Sequence, residues 1–292
     1  MDNATAPPSD TPATRSPFRR VLRMLYTAIV LLVLFIAFIV AALYFGQTYI
    51  IFPATRGLQS NPTQLGYAYE EVKLDVMGEK TVGWFIKADN PRGTVLFSHG
   101  NGGNIAGWMY GMDVYVRELH LNVLLYDYGG YGDSTGSPSE QRCYADIRAM
   151  WDWLTTTKGI PTKQIVLVGR SLGGGVTSKL ASEVTPGAIC LESTFLSVPR
   201  VAKEIFPVLP ANLILRHRFD TESRLQRFTA PVLVVHGKYD EVIPFHHGEA
   251  IYGLLKGPKQ FLEIRGGHND GYDISVEEYR ETMEGFVLPF LK

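Results

Sequence analysis

Apolar positions in this chain follow two patterns. Between residues 24 and 46 no side chain is charged, and after Arg23 the next charge is Arg56. As a helix that run would reach about 34 Å at roughly 1.5 Å per residue, enough for a hydrocarbon core of about 30 Å. Beyond residue 66, short β-branched runs alternate with helical periodicity, which predicts a sheet covered by helices. Strands are expected at 70–76, 82–88, 94–98, 123–127, 165–169, 188–192, 232–236 and 260–264. The central runs TVLF, VLLY, IVLV and VLVV are apolar throughout, as strands buried on both faces of a parallel sheet must be. The first two alternate, as a solvent-facing antiparallel pair would. Helices are expected at 104–119, 140–156, 172–183, 244–255 and 275–291. The expected fold class is therefore α/β: an eight-stranded, mostly parallel sheet with helices on both faces, preceded by one transmembrane helix.

One connection breaks the rhythm. Residues 197–229 are too long for a plain crossover and contain Ile205, Phe206, Val208, Leu209, Leu213, Ile214 and Leu215. Such an excursion reads either as a short cap with a binding role or as a cover for the sheet. The remaining organisation is simple. Residues 1–20 read as a Pro-, Ser- and Thr-rich cytoplasmic tail, 21–46 as a transmembrane signal anchor, 47–65 as a linker and 66–292 as one domain.

Arg15, Arg19, Arg20 and Arg23 precede the apolar run and only Arg56 closely follows it, so the positive-inside rule puts the N-terminus in the cytoplasm. The domain would then be periplasmic, luminal or extracellular. A signal peptide cleaved near Val40-Ala41-Ala42 is the rival, although the run exceeds the usual apolar stretch of about 7–15 residues. Tyr44, Tyr49 and Phe52 extend the outer end, where amphipathic rings favour the headgroup layer.

Composition narrows the partners. The chain is 46% hydrophobic and 20% charged, with 28 basic against 29 acidic residues, so no excess charge recruits nucleic acid. The partner expected at this point is the bilayer, through residues 24–46. Cys143 and Cys190 fall in a helix and a buried strand and lack metal spacing, so two separate core thiols are expected.

Candidate chemistry begins at Gly169-Arg170-Ser171-Leu172-Gly173, a G-x-S-x-G string directly after the apolar run IVLVG and before a helical pattern. In that setting a serine is held in a strained turn with its hydroxyl presented. Gly169 and Gly173 are expected where strand and helix pack too closely for a Cβ. A serine hydroxyl needs a base, itself oriented by a third group. Of seven histidines, His268 lies in the polar loop RGGHNDG after the last strand, where active-site loops of α/β sheets gather. His99, His120, His217, His236, His246 and His247 each have a structural or surface explanation. Asp240 follows the seventh strand and is the candidate third member, with Glu241 its close rival and Glu192 a second choice.

The order Ser171, Asp240, His268 is the α/β-hydrolase order. An oxyanion would be held by the N–H of Leu172 and by Asn101 or Gly102 in the loop SHGNGGN. The sequence carries no HExxH motif or comparable ligand spacing, so a metal hydrolase is not expected.

With YDYGGYGDSTGSPSE, GRSLGGG, LESTF, HGKYDEVIP and GGHND in addition, the chain resembles the α/β-hydrolase fold family. More narrowly, it resembles its membrane-anchored, domain-containing serine hydrolases with a serine aminopeptidase-like domain. The resemblance implies nucleophile Ser171, acid Asp240, base His268 and no cofactor. Ester or thioester hydrolysis of a small-molecule acyl substrate through an acyl-enzyme is the expectation. A peptidase or amidase, or a non-catalytic binding module of the same fold, is the alternative.

Overall fold

The central apolar runs form the middle of an eight-stranded sheet in the computed structural model, which describes residues 17–292. Strands β1 (Tyr69–Val76), β2 (Glu79–Ile86), β3 (Gly93–Ser98), β4 (Leu121–Tyr126), β5 (Ile165–Arg170), β6 (Ala188–Glu192), β7 (Val232–Gly237) and β8 (Lys259–Ile264) lie in the order β1-β2-β4-β3-β5-β6-β7-β8. β2 runs antiparallel to β1 and β4, and the other pairings are parallel. Period-2 alternation then splits each central strand between two cores. Val95, Phe97, Val166 and Val168 enter one, and Leu96, Ile165 and Leu167 enter the other. Truncating a side chain such as Leu167, fully buried between neighbours, costs about 2–5 kcal/mol in comparable cores.

The helices are α1 (Pro17–Ile51), α2 (Ile105–Trp108), α3 (Glu140–Asp152), α4 (Leu172–Ala181), α5 (Val198–Ile205), α6 (Ala211–Ile214), α7 (His246–Leu254), α8 (Gly271–Ile274) and α9 (Val276–Thr282). Three expected helices are broken, the one over 140–156 by a π-type turn at Trp153–Thr157. A straight helix over 104–119 would bury Ile105, Met109, Met112, Val116 and Leu119 on one stripe, yet Val114 and Tyr115 are buried as well. A wide π-type turn at Val114–Glu118 rotates the chain enough to admit them. The helix expected over 275–291 likewise passes through a π-type turn at Met283–Val287 and a 3-10 turn at Leu288–Phe290, around Gly285 and Pro289.

The expectation of a half-solvated first pair holds for β1 but not β2, which is buried from Thr81 to Ile86. Its faces are covered by aromatic neighbours: Tyr69 packs edge-on against Trp84 and Trp153 against Phe85.

The chain divides into two compact units at Gly46 and Gln47. In the first, α1 presents exposed apolar side chains such as Leu25, Leu32 and Phe38, and has the length and composition to cross a membrane. The expected tail lies outside the described residues as far as residue 16. The second unit contains the stretch 47–65, expected as a linker, which is packed into the domain: Phe52 is buried against His217 and Phe219. In the excursion 197–229, Ile214 and Ala211 are buried, while Ile205, Phe206, Val208 and Leu213 are exposed.

Candidate active site

Every expected site residue lies just beyond the carboxyl end of a parallel strand, where loops of open α/β sheets converge. Ser171 joins β5 to α4 at φ 55 and ψ −119, a backbone conformation that a non-glycine residue holds only when its surroundings impose it. They do so through hydrogen bonds. Ser171 N donates to Glu192 O at 2.9 Å, and Ser171 O accepts from Gly174 N at 3.0 Å and Thr194 Oγ1 at 2.7 Å. The flanking glycines are there for space. A Cβ on Gly173 would stand 2.0 Å from Ser98 O, and one on Gly169 would stand 2.5 Å from Gly173 O.

The Ser171 hydroxyl lies 3.0 Å from His268 Nε2, and His268 Nδ1 lies 2.8 Å from Asp240 Oδ2. All three side chains are largely buried. A carboxylate can only accept, so Nδ1 carries the imidazole proton and the Nε2 lone pair faces Ser171. Burial would raise the pKa of Asp240, but bonds from His236, His268 and the Ile243 N–H outweigh it and hold the carboxyl well below its usual range. Asp240 Oδ1 accepts from Val242 N at 2.9 Å and Ile243 N at 2.7 Å.

The rival carboxylates are occupied elsewhere. Glu241 accepts from the His268 backbone N–H at 3.1 Å, and Glu192 accepts from the hydroxyls of Tyr115 and Tyr279.

His236 plays a part the sequence did not reveal. Its Nε2 is 2.9 Å from Ile243 O, which can only accept, so that nitrogen carries a proton; it also stands 3.4 Å from Asp240 Oδ2. The signal available was its spacing four residues before Asp240 at the end of a strand. Arg170 was also missed. Its guanidinium donates to the carbonyls of His268 at 3.2 Å and Asn269 at 3.4 Å, and lies over the rings of Trp108 and Tyr272.

Asn101 and Gly102 line a cavity of about 350 Å³ together with Ser171, His268, Trp108 and Arg170. Leu172 is the first residue of α4, so its N–H has no acceptor in a preceding turn. The loop carrying Asn101 and Gly102 is fastened on two sides. Tyr131 donates its hydroxyl to Asn101 O at 2.7 Å, and Tyr128 donates to His99 O at 2.7 Å. From residues 51–59, Thr55 N donates to Gly103 O at 2.9 Å, and the Asn101 side chain donates to Ile51 O at 3.1 Å. Asn104 Nδ2 reaches Thr55 O at 3.2 Å and Gly57 O at 2.9 Å.

Beneath this loop His99 donates from Nδ1 to Gly100 O at 2.6 Å, and its Nε2 stands 3.6 Å from Asp127 Oδ1. Burial pushes His99 down to about 4 and Asp127 up to about 8, so both are neutral near pH 7.

A second cavity of about 360 Å³ shares Trp108, Arg170 and Asn269 with the first and extends past Tyr110, Met112 and Tyr272. A larger one, about 920 Å³, lies among Tyr67, Glu70, Lys87 and Arg117, away from all three relay residues.

The family model for the alpha/beta hydrolase fold matches residues 93–212. Alpha/beta hydrolase domain-containing protein 17B of Xenopus tropicalis is 35% identical over 212 residues, covering 71% of this chain and 69% of that protein. Protein 17C of Mus musculus is 38% identical over 201 residues, or 68% of this chain and 59% of its own length. The chain thus spans about three fifths of the 17C relatives it matches, 60% in Xenopus tropicalis. Among solved structures, an esterase of Pyrococcus furiosus superposes with a TM-score of 0.69 at 19% identity, covering 82% of this chain and 98% of its own. An alpha-beta hydrolase of Vibrio vulnificus superposes with a TM-score of 0.66 at 20% identity, covering 97% and 99% respectively.

Proposed function

The chain belongs to the α/β-hydrolase domain-containing family, and from that premise we propose that it is a membrane-tethered serine hydrolase cleaving carboxylic esters or thioesters with acyl or lipid-like groups. The observation that carries this reading is the relay from Ser171 through His268 to Asp240, opening into the cavity lined by Asn101 and Gly102. Ser171 Oγ attacks the acyl carbonyl while its proton passes to His268 Nε2. Asp240, anionic throughout, stabilises the imidazolium. The N–H groups of Leu172 and of Asn101 or Gly102 hold the oxyanion. His268 then gives its proton to the leaving alcohol or thiol, and the same nitrogen later takes a proton from the water that cleaves the acyl-enzyme. No step calls for a cofactor.

The second cavity, which borders the nucleophile's cavity through Trp108 and Arg170, carries the apolar walls Tyr110, Met112 and Tyr272, which suit an acyl group reaching over from Ser171. In this reading α1 is an uncleaved signal anchor, with the N-terminus cytoplasmic and the catalytic domain across the membrane. Turnover of an aryl ester, an acyl thioester and an aminoacyl amide by the full chain tests the substrate class. Ester and thioester turnover should exceed amide turnover by at least about 100-fold, whereas comparable amide cleavage would identify a peptidase.

A further inference from the structure

The connection 197–229 buries Ala211, Ile214 and Phe219, so it does pack on the domain. Its outer side is nevertheless apolar: Val208 is 98% and Leu213 84% exposed, and Ile205 and Phe206 are each 58% exposed. Single surface hydrophobics need no explanation, but four within nine consecutive residues form a patch of the kind that meets another apolar phase.

The way the chain enters the domain indicates which phase. Gln47 follows directly on Gly46, where the segment expected to span the membrane ends. Its side chain binds the excursion: Nε2 donates to Ile214 O at 3.3 Å, and Oε1 accepts from Arg216 N at 2.7 Å and His217 N at 3.3 Å. Thr48 Oγ1 lies 3.3 Å from His217 Nε2. These contacts tie residues 214–217 to the two residues that directly follow, along the chain, the segment expected to span the membrane. The following turn exposes Tyr49 at 84% and Ile50 at 65%, residues suited to the headgroup layer. Charge fits as well: Arg200 is held by Glu222, and between residues 201 and 218 stand Lys203, Arg216 and Arg218 against the single carboxylate Glu204.

We propose that Ile205, Phe206, Val208 and Leu213 insert into the headgroup–acyl boundary of the bilayer, so that the excursion is a membrane-docking surface. This rests on the tethered reading of α1, and the docked face would hold the catalytic domain at the lipid surface, where an acyl substrate resides.

The test uses the full chain in phosphatidylcholine–phosphatidylglycerol vesicles with lipid-borne quenchers at headgroup and mid-chain depths. An environment-sensitive fluorophore is placed in turn at Val208→Cys, Leu213→Cys, Met77→Cys and Leu34→Cys; the native Cys143 and Cys190 are buried and should stay unlabelled. Docking requires shallow quenching at positions 208 and 213 at least about threefold stronger than at the exposed Met77 position in the β1–β2 turn, with Leu34 quenched from mid-chain. Quenching at 208 and 213 no greater than at 77, while Leu34 is quenched, overturns the docking and leaves the tether intact. Quenching at 208 and 213 but not at Leu34 sinks the tether and keeps the docking, and quenching at none of them sinks both.

If both cap probes are shielded without lipid quenching and the protein sediments as a dimer, the occupant is a second copy and the proposal falls. The Val208→Asp, Leu213→Asp double variant should turn over a vesicle-embedded ester at least about fivefold more slowly and leave a soluble short-chain ester unaffected. Equal loss on both substrates would contradict the proposal.

Discussion

At Asp240, burial and hydrogen bonding pull in opposite directions and bonding wins, so the carboxylate is anionic at every pH the protein would meet. Its charge fixes the tautomer of His268, and a neutral amide would not. Asp240→Asn is therefore expected to lower kcat for an aryl ester by about 10⁴-fold with little change in the overall fold, as circular dichroism would check.

The buried pair His99 and Asp127 makes a separate prediction, read in stability. Asp127, raised to about 8, keeps its proton when folded at a pH where the unfolded chain has released it. That contribution is full below the usual carboxylate pKa and is lost as pH rises through 8. His99, lowered to about 4, adds no slope above its ordinary value near about 6.5. Between those two limits the wild type should thus lose up to about 1.4 kcal/mol of stability per pH unit relative to Asp127→Asn, whose amide keeps the shape without the proton. Parallel denaturant midpoints for the two proteins across that window would refute the assignment.

Among the elements, the segment 51–59 fastens the loop of Asn101 and Gly102, and in the proposed hydrolase this makes it a positioning element for the oxyanion donors. Asn104→Ala removes the amide that bridges to Thr55 and Gly57. It should lower kcat by about 10- to 100-fold while KM for a small ester stays nearly constant, because loss of donor alignment acts on the transition state more than on ground-state binding. A rise in KM alone would assign Asn104 to substrate binding instead.

This strap was illegible in the sequence. It consists of long-range bonds to backbone carbonyls, which leave no periodicity behind, and the stretch reads as a linker. The π-type turn at Val114–Glu118 was hidden for a related reason: Val114 and Tyr115 break the helical stripe only because Tyr115 must reach Glu192 and Tyr279. The sheet was legible because strands covered on both faces have to be continuously apolar. Ser171, Asp240 and His268 stood out because each interrupts such a run with a short polar, glycine-bearing loop. His236 and Arg170 did not, since each ends a strand where a buried or half-buried polar residue needs no function.

For the whole molecule, the apolar composition has several sources: the charge-free run of α1, the doubly covered strands, and the exposed face of residues 205–213. The tethered reading predicts that a reporter active only in the cytoplasm, fused after Lys292, stays silent, while the same reporter ahead of Met1 is active. The reverse pattern would invert the topology.

The serine hydrolase reading itself is tested most directly by intact-mass analysis of the full chain after exposure to a fluorophosphonate. A single adduct that maps to Ser171 and is absent from Ser171→Ala is the expected result. An unmodified wild type, or an adduct that survives in Ser171→Ala, would contradict it.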